Sequence, residues 1–216
     1  MEESDLKEIA RQLSRPNGEV GIELGNKMNV LNSFITSRTL EALSAMKSET
    51  ILELGPGNGA LSEPLIATLG ETGKYVGIEP SDIMAEAARN CLCNRDCSVE
   101  IIFGDHLSAE ISPSSLDGVF AVNVLYFIDD LTSLFSQLTL WLKPGARVAF
   151  GIRSEQSLNK IPFTQYTFNV RTSDEIKALM ERSGFVDVES TYYDEGSISF
   201  GEMELPIDSV IISGKV

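Results

Sequence analysis

The sequence has little basic charge and few residues of the kinds that build disulfide or metal frameworks. Its 216 residues include 17 Lys and Arg against 32 Asp and Glu, for a formal net charge of −15, with three Cys and one His. A chain this acidic repels phosphate backbones and anionic lipid head groups unless a basic patch overrides the total, and no stretch clusters Lys and Arg. We therefore expect neither a nucleic-acid nor a membrane partner.

Long hydrophobic runs are also missing. The longest mostly apolar run, 118–128, is far shorter than the roughly 20 residues with which a helix crosses a bilayer. The chain begins Met-Glu-Glu-Ser-Asp, which is acidic where a secretory signal would be basic and then apolar. We expect a cytoplasmic protein, and 43% hydrophobic residues suffice for one globular core.

The cysteines do not form a recognisable framework. Cys91, Cys93 and Cys97 are odd in number, so they cannot all pair within the chain. They lack a Cys-x-x-Cys knuckle, and the single histidine, His106, lies beyond an intervening predicted strand. We expect reduced thiols at a helix end and no metal site, and we assign the three thiols no function.

The first fifty residues are predicted to be helical. Apolar residues between Leu6 and Leu13 follow the i, i+3, i+4, i+7 spacing of one helix face. The breakers at 15–18 end this helix, and a second helix is predicted from Val30 to Met46. We expect residues 1–48 to form a helical cap.

From residue 50 onward, short apolar strands alternate with helices of about ten residues, which is typical of a parallel sheet covered on both faces. The predicted strands are Ile51–Leu54, Tyr75–Glu79, Val99–Phe103, Leu116–Val124 and Arg147–Ile152. The predicted helices are 60–69, 81–90, 131–142 and 172–183, the second capped by Ser81 and the last opened by a Thr-Ser-Asp-Glu capping box.

The end of the chain departs from this alternation. Val186–Tyr193 and Leu205–Lys215 are strand-like, and only the turn at 194–197 and a short irregular stretch separate them. Without a crossover they must pair as a hairpin or through a longer loop, so that one strand runs antiparallel to the rest. The predicted fold class is α/β: a single domain whose core, 49–216, is a Rossmann-like doubly wound sheet of seven mostly parallel strands with an antiparallel C-terminal strand.

The segment 53–59, Glu-Leu-Gly-Pro-Gly-Asn-Gly, is the strongest functional signal. Glycines let the backbone turn sharply out of a strand and let a ligand approach where a Cβ would collide, while the next helix offers its positive N-terminal end. Glu79 ends the second strand, where an acidic side chain can accept hydrogen bonds from both hydroxyls of a ribose. The pattern predicts a nucleoside-binding crevice at the carboxyl ends of the strands.

Three details indicate which nucleoside binds. The loop reads Gly-x-Gly-x-Gly rather than the Gly-x-Gly-x-x-Gly of dinucleotide folds. Glu53 lies two positions before the first glycine, where it would repel a pyrophosphate but suits a ligand with an ammonium and a sulfonium. The sheet is also expected to end in an antiparallel strand pair.

In these motifs the sequence resembles the class I S-adenosylmethionine-dependent methyltransferases, and among them the small-molecule, ubiquinone/menaquinone-biosynthesis-like type, from Ile51 to the C-terminus. The resemblance implies that 53–59 encloses the methionine moiety, that Glu79 holds the ribose and that Asp105 binds the adenine amine. His106 would supply a neighbouring contact, and Met84 would either stack on the adenine or belong to the helix core. The cofactor-binding residues expected in full are Glu53, Gly55, Pro56, Gly57, Glu79, Pro80, Met84, Asp105, His106 and Asn123.

The sequence indicates the methyl-acceptor site less precisely than the cofactor site. Asn123-Val124-Leu125-Tyr126 has the polar first and aromatic last residue of the Asn-Pro-Pro-Tyr motif of nucleic-acid amino methyltransferases, but both prolines are missing. Tyr126 is therefore interpreted as a wall of a small-molecule pocket. The other predicted substrate contacts are Arg153, Phe163 and Tyr166 from the loop 153–168 and residues of the cap around Lys27, Met28, Asn29 and Asn32.

A general base is needed only if the nucleophile loses a proton during attack. Tyr126, His106 and Asp129 are candidates by position alone, so no catalytic residue is assigned. The leading prediction is methyl transfer from S-adenosylmethionine to a small organic acceptor. Two alternatives stay open: a non-catalytic nucleoside-binding or regulatory domain, and a nicotinamide-dependent oxidoreductase, which the glycine spacing disfavours.

Overall fold

The computed structural model describes residues 2–200 and 203–216. Its strands are β1 (Thr50–Leu54), β2 (Lys74–Glu79), β3 (Ser98–Phe103), β4 (Leu116–Val122), β5 (Leu142–Ile152), β6 (Val186–Phe200) and β7 (Met203–Lys215). Its helices are α1 (Glu3–Ser14), α2 (Gly18–Leu43), α3 (Glu63–Leu69), α4 (Asp82–Leu92), α5 (Leu131–Trp141), α6 (Glu155–Leu158), α7 (Thr164–Thr167) and α8 (Ser173–Arg182), with 3-10 turns at Ala60–Ser62 and Leu125–Phe127.

One seven-stranded sheet has the order β3-β2-β1-β4-β5-β7-β6. The first five strands are parallel, with Leu54 opposite Ile78 on one side of β1 and Ala121 on the other. Strand β7 runs antiparallel to both β5 and β6. The predicted α/β class, with one antiparallel strand at the C-terminal end, is confirmed.

The central strands β1, β2, β4 and β5 are largely buried, and because successive side chains of a strand point to opposite sides, each strand contributes to two cores. In β1, Leu52 and Leu54 join a core with α5 and α8, whereas Ile51 joins a second core with α3, α4 and the end of α2. Glu53 follows the same alternation as Ile51, so its carboxyl group lies on the side of the second core. Within the described residues, no helix has the length and apolarity required to span a bilayer.

The long second helix differs from the prediction. It begins at Gly18, twelve residues before the predicted start at Val30, and ends at Leu43 instead of Met46. Glycine lowers helix propensity, and this stretch carries three glycines at its start. Tertiary packing outweighs that penalty, since a Cβ at Gly21 would lie 3.0 Å from Pro16 and one at Gly25 would lie 3.3 Å from Met84.

The C-terminal hairpin is also longer than predicted. The segment 194–197 is not a loop but a register shift between Asp194 and Ser197, after which β6 and β7 pair as far as Phe200 opposite Met203. A strand can absorb extra residues as a bulge without ending its pairing. The fifth strand likewise begins at Leu142, the last residue of the predicted helix 131–142, and not at Arg147. The capping box at Thr172 and the Ser81 cap are confirmed.

Candidate functional site

A cavity of about 1080 Å³ lies at the carboxyl ends of the central strands, beneath the N-terminal helices. The order of the sheet changes direction between β1 and β4, which is where open α/β sheets form a crevice. All ten residues predicted to bind the cofactor line this cavity: Glu53, Gly55, Pro56, Gly57, Glu79, Pro80, Met84, Asp105, His106 and Asn123.

Helices α1 and α2 cover the cavity, and hydrogen bonds connect them to the loops that follow β1 and β2. Ser81 Oγ donates to the carbonyl of Pro16 over 2.6 Å, which fixes the turn between the two helices. Further along, Asn29 and Asn26 of α2 exchange hydrogen bonds of 3.1 Å with Asn58 of the glycine loop. The cap and the loop therefore form one polar junction that sequence patterns did not reveal.

The glycine loop has the backbone shape that its sequence predicted. Gly55 and Gly57 have φ values of +69° and +57°, which side chains disfavour. A Cβ at Gly55 would lie 2.7 Å from Val124 Cγ2, so that position also needs glycine for space. A Cβ at Gly57 would meet nothing within 4 Å, which leaves the backbone open toward the cavity.

Glu53 is buried at the cavity wall and has two hydroxyl partners. Tyr75 OH and Ser62 Oγ each donate to its Oε2 over 2.5 Å, and the side chain is only 5% exposed. Burial, opposed in part by these two hydrogen bonds, raises the pKa of Glu53 to about 7. Sequence reasoning missed Tyr75, although its strand position opposite Ile51 places it on the same face as Glu53.

Glu79 links the glycine loop to the next helix. Its Oε2 accepts from the Gly57 amide and its Oε1 accepts from the Ser81 amide, both over 2.9 Å. Burial raises the pKa of Glu79 to about 7, opposed by these backbone hydrogen bonds. The carboxylate is thereby oriented at the cavity before any ligand arrives.

Asp105 and His106 form the edge of the cavity beyond β3. Asp105 Oδ1 caps its own turn by accepting from the amides of Leu107 and Ser108 over 3.1 and 2.9 Å. Hydrogen bonds from Ser108 lower the pKa of Asp105, so it is ionised at neutral pH. Burial lowers the pKa of the half-buried His106 imidazole. Met84 is buried in α4 and still reaches the cavity wall.

Asn123 lies directly after β4 with a φ of +58°. Its Nδ2 donates to Asn32 Oδ1 over 2.9 Å. Its Oδ1 is buried and has no hydrogen-bond partner among the described residues. An unpaired buried acceptor is costly and is therefore a position where a ligand donor can bind.

The four predicted substrate residues differ in their surroundings. Tyr126 and Phe163 line the cavity, and the ring of Tyr126 stacks on Phe168 with centroids 4.9 Å apart. Arg153 also reaches the cavity, yet both terminal nitrogens of its guanidinium have protein partners, including Glu195 and the carbonyl of Leu31. Tyr166 lies outside the lining, with Lys7 Nζ 5.5 Å from its ring centroid.

Titratable groups in the cavity offer limited acid–base chemistry. Burial raises the pKa of Tyr126 well above its usual value, which disfavours a phenolate. Asp129 lies at the rim, where its Oδ1 accepts from Asn169 over 2.8 Å. Within the part of the chain that the structure describes, no group of three or more His, Cys, Asp or Glu side chains is arranged to hold a metal ion.

Known proteins share both the sequence motifs and the fold. A family model described as a methyltransferase domain matches residues 51–145. The O-methyltransferase rstn1 of Aspergillus nomiae is 25% identical over 178 residues, which cover 78% of each chain. The ribosomal RNA small subunit methyltransferase A of Geobacter sulfurreducens is 31% identical over 137 residues, covering 56% of this chain and only 48% of the relative.

A solved structure extends the likeness of the fold to most of the chain. It is the complex between the Haloferax volcanii Trm112 methyltransferase activator and a methyltransferase, which superimposes with a TM-score of 0.77 at 16% identity. The match covers 89% of this chain and 93% of that one. The methyltransferase-domain match across the strands that carry the glycine loop, together with the methyltransferase relatives, supports a class I S-adenosylmethionine-dependent methyltransferase, and the solved structure shares its fold.

Proposed function

We propose that this methyltransferase acts on a small organic acceptor that binds in the covered cavity beside S-adenosylmethionine. The observation that carries the proposal is the cavity itself: at about 1080 Å³ it is at the upper end of small-molecule sites, and two helices cover it. That volume accommodates a nucleoside-sized cofactor and a second small molecule. We further propose that residues 1–48 act as the cap of one domain whose core is 49–216.

The residues at the strand ends fit the cofactor chemically. The open backbone at Gly57 and the buried carboxylate of Glu79 suit a ribose, and the ionised Asp105 suits an exocyclic amine. The carboxyl group of Glu53 suits an α-ammonium group. When bound, the cofactor supplies an activated methyl group on a sulfonium.

The protein's own part in the reaction is positioning. The cap and the strand ends enclose the reacting groups, and alignment of two bound reactants can supply much of the rate of an in-line displacement. The raised pKa of Tyr126 and the lowered pKa of His106 leave both groups neutral at pH 7. His106 in this neutral form can accept a proton, whereas the neutral Tyr126 hydroxyl can donate or accept a hydrogen bond but is too weak a base to take up a proton.

The exclusion of nucleic acid stays a prediction, because one relative is named as a ribosomal RNA methyltransferase. The net charge of −15 supports a small-molecule acceptor, since binding to nucleic acid depends on cationic contacts to phosphates.

We also propose a cytoplasmic location. The nicotinamide alternative has no support from the family match, and a non-catalytic domain is the remaining rival.

Calorimetric titration with S-adenosylmethionine and S-adenosylhomocysteine tests the cofactor assignments. We expect micromolar binding that is weakened at least tenfold in Asp105→Ala and unchanged in Leu140→Ala, which truncates an exposed side chain of α5. Acceptor type is then tested by incubating the protein with labelled cofactor and either a metabolite extract or purified RNA. Label that enters RNA and not small molecules contradicts the proposal; binding without any transfer supports the non-catalytic rival.

A further inference from the structure

The cavity has two halves of different chemistry. Its cofactor half is built from the ends of β1, β2 and β3. The other half, here called the acceptor chamber, is built from the ends of β4 and β5, the loop after β5 and the β6–β7 hairpin. Its apolar lining comes from Tyr126, Phe127, Phe163, Phe168, Ile198 and Ile207.

Aromatic rings form a continuous wall of the acceptor chamber. The ring of Phe168 contacts those of Tyr126 and Phe127, with centroids 4.9 and 4.6 Å away, and lies 6.1 Å from that of Phe163. Such a wall favours contact with a flat or aliphatic molecule. An anion placed there would lose its hydration without compensation.

The basic side chains of the cavity do not offer an anion site in this chamber. Among the described residues, Lys27, His106 and Arg153 are the basic groups in the lining. Lys27 is exposed, and its neighbours on α2 bind Asn58 in the cofactor half. His106 follows the third strand, also in the cofactor half.

Arg153 is the only one of the three in the chamber, and protein groups already occupy it. One terminal nitrogen donates to Glu195, to the carbonyl of Asp208 and to Ser209 Oγ. The other donates to the carbonyl of Leu31 over 2.9 Å. Because Glu195 pairs with the guanidinium, Arg153 offers no free positive charge to an anion in the chamber.

The chamber nevertheless contains a buried side-chain acceptor, Asn123 Oδ1, that has no hydrogen-bond partner among the described residues. Arg153 lies 3.5 Å from Asn32 Oδ1, which identifies that atom of Asn32 as the oxygen. Asn123 must then direct its Nδ2 toward Asn32, at 2.9 Å, and this leaves Oδ1 as the unpaired atom. Only a ligand with an O–H or N–H group can satisfy it.

We propose that the methyl acceptor is a largely apolar molecule without an anionic group, which packs on the aromatic wall and donates an O–H or N–H hydrogen bond to Asn123 Oδ1. Asn123, predicted from the sequence to bind the cofactor, is thereby assigned to the acceptor. This inference rests on the proposed small-molecule function and narrows its substrate class. It excludes acceptors that carry a phosphate or a carboxylate inside the chamber.

The test compares three probes with one ring system: 1-naphthol, naphthalene and 1-naphthyl phosphate. Their dissociation constants are measured by fluorescence with the full chain saturated with S-adenosylhomocysteine. We expect 1-naphthol to bind roughly tenfold more tightly than naphthalene, and at least tenfold more tightly than the phosphate. Equal or tighter binding of the phosphate overturns the proposal. The proposal is also overturned if the protein binds S-adenosylhomocysteine but not 1-naphthol.

Two variants connect these affinities to the named residues. Asn123→Gly keeps the positive φ without strain and should bring the naphthol-to-naphthalene affinity ratio close to one while naphthalene binds as before. Phe168→Ala should weaken both probes together, with Leu140→Ala as the matched control. Ile198→Ala serves as a second wall variant if Phe168→Ala does not fold. An unchanged ratio in Asn123→Gly overturns the role of Asn123. Failure of the wild-type protein to bind S-adenosylhomocysteine instead refutes the proposed function on which the inference rests.

Discussion

Removal of one hydroxyl group from the core should change how ligand affinity depends on pH. Tyr75 is fully buried and its hydroxyl donates to Glu53 Oε2 over 2.5 Å, so Tyr75→Phe removes a hydrogen bond to a buried carboxylate. That hydrogen bond lowers the pKa of Glu53, which burial raises to about 7. A hydrogen bond to an ion stabilises it by about 1.5 kcal/mol, so its loss should raise the pKa by about one further unit.

The size of the effect follows from the ionised fraction of Glu53. With a pKa of about 7, half of the wild-type carboxyl groups are ionised at pH 7. In Tyr75→Phe the fraction falls to about one tenth, because one pKa unit is a factor of ten in the protonation equilibrium. If the ammonium group of the ligand needs the carboxylate, S-adenosylhomocysteine should bind about fivefold more weakly to the variant at pH 7. The two proteins should bind it almost equally at pH 9, where both carboxyl groups are ionised.

Calorimetric titrations of both proteins between pH 6 and pH 9 measure this difference. Comparison at each pH cancels the titration of the ligand itself, and Glu79 stays unchanged in both proteins. Ser62→Ala should act in the same direction because it removes the other hydroxyl donor to Glu53. Tyr193→Phe, which removes a hydroxyl from β6, is the matched control. A loss of affinity in Tyr75→Phe that is equal at all pH values would refute the reasoning, since it would indicate general damage to the site.

Three further outcomes are expected. Arg153→Met should lower the free energy of unfolding by about 3–5 kcal/mol, because it leaves the largely buried carboxylate of Glu195 without its ion-pair partner. Glu195→Gln in the same chain should restore part of this free energy in urea denaturation, and additive effects of the two substitutions would contradict the coupling. Gly151→Ala should lower the free energy of unfolding by about 1–3 kcal/mol, because the new Cβ would lie 2.3 Å from Thr39 Oγ1. An unchanged urea midpoint would contradict this close packing. The ligand-free protein should be less stable at pH 8 than at pH 5.5. In the folded protein the pKa values of Glu53 and Glu79 are raised to about 7, so the fold favours their protonated forms. Their contribution to the free energy of unfolding is therefore present at low pH and lost as the pH rises through 7. The lowered pKa of His106 has the opposite effect on stability, but it is one group and the glutamates are two. A urea midpoint that rises between pH 5.5 and pH 8 would refute the predicted loss of stability.

Local signals in the sequence sufficed for much of the fold and for the polar side of the site. Alternation of apolar strands with helices depends on the near-neighbour pattern alone, and it predicted the five parallel strands. Two strand-like runs without an intervening helix predicted the antiparallel end of the sheet. The segment 53–59 begins within β1, Glu79 ends β2 and Asp105 comes two residues after β3, so all three lie at the carboxyl ends of strands. Because parallel strands end at one edge of a sheet, their convergence on a single cavity could be expected from their positions in the chain.

The tertiary structure decided what depends on contacts between distant segments. Helix α2 begins at Gly18 because its glycines pack against Pro16 and Met84, a gain that outweighs their low helix propensity. Tyr75 reaches Glu53 only through the pairing of β1 with β2. Arg153, which follows β5, is buried and donates hydrogen bonds to α2 and to the hairpin. Its position in the sequence equally allowed a contact with the substrate.

The sequence by itself determined the class of enzyme and its cofactor motifs, because those depend on residue types at fixed spacing along single strands and loops. Only the tertiary structure decided the chemistry of the acceptor chamber. Its aromatic wall, its ion-paired arginine and the buried oxygen of Asn123 come from five separate stretches of the chain, and no spacing within one stretch encodes how they meet.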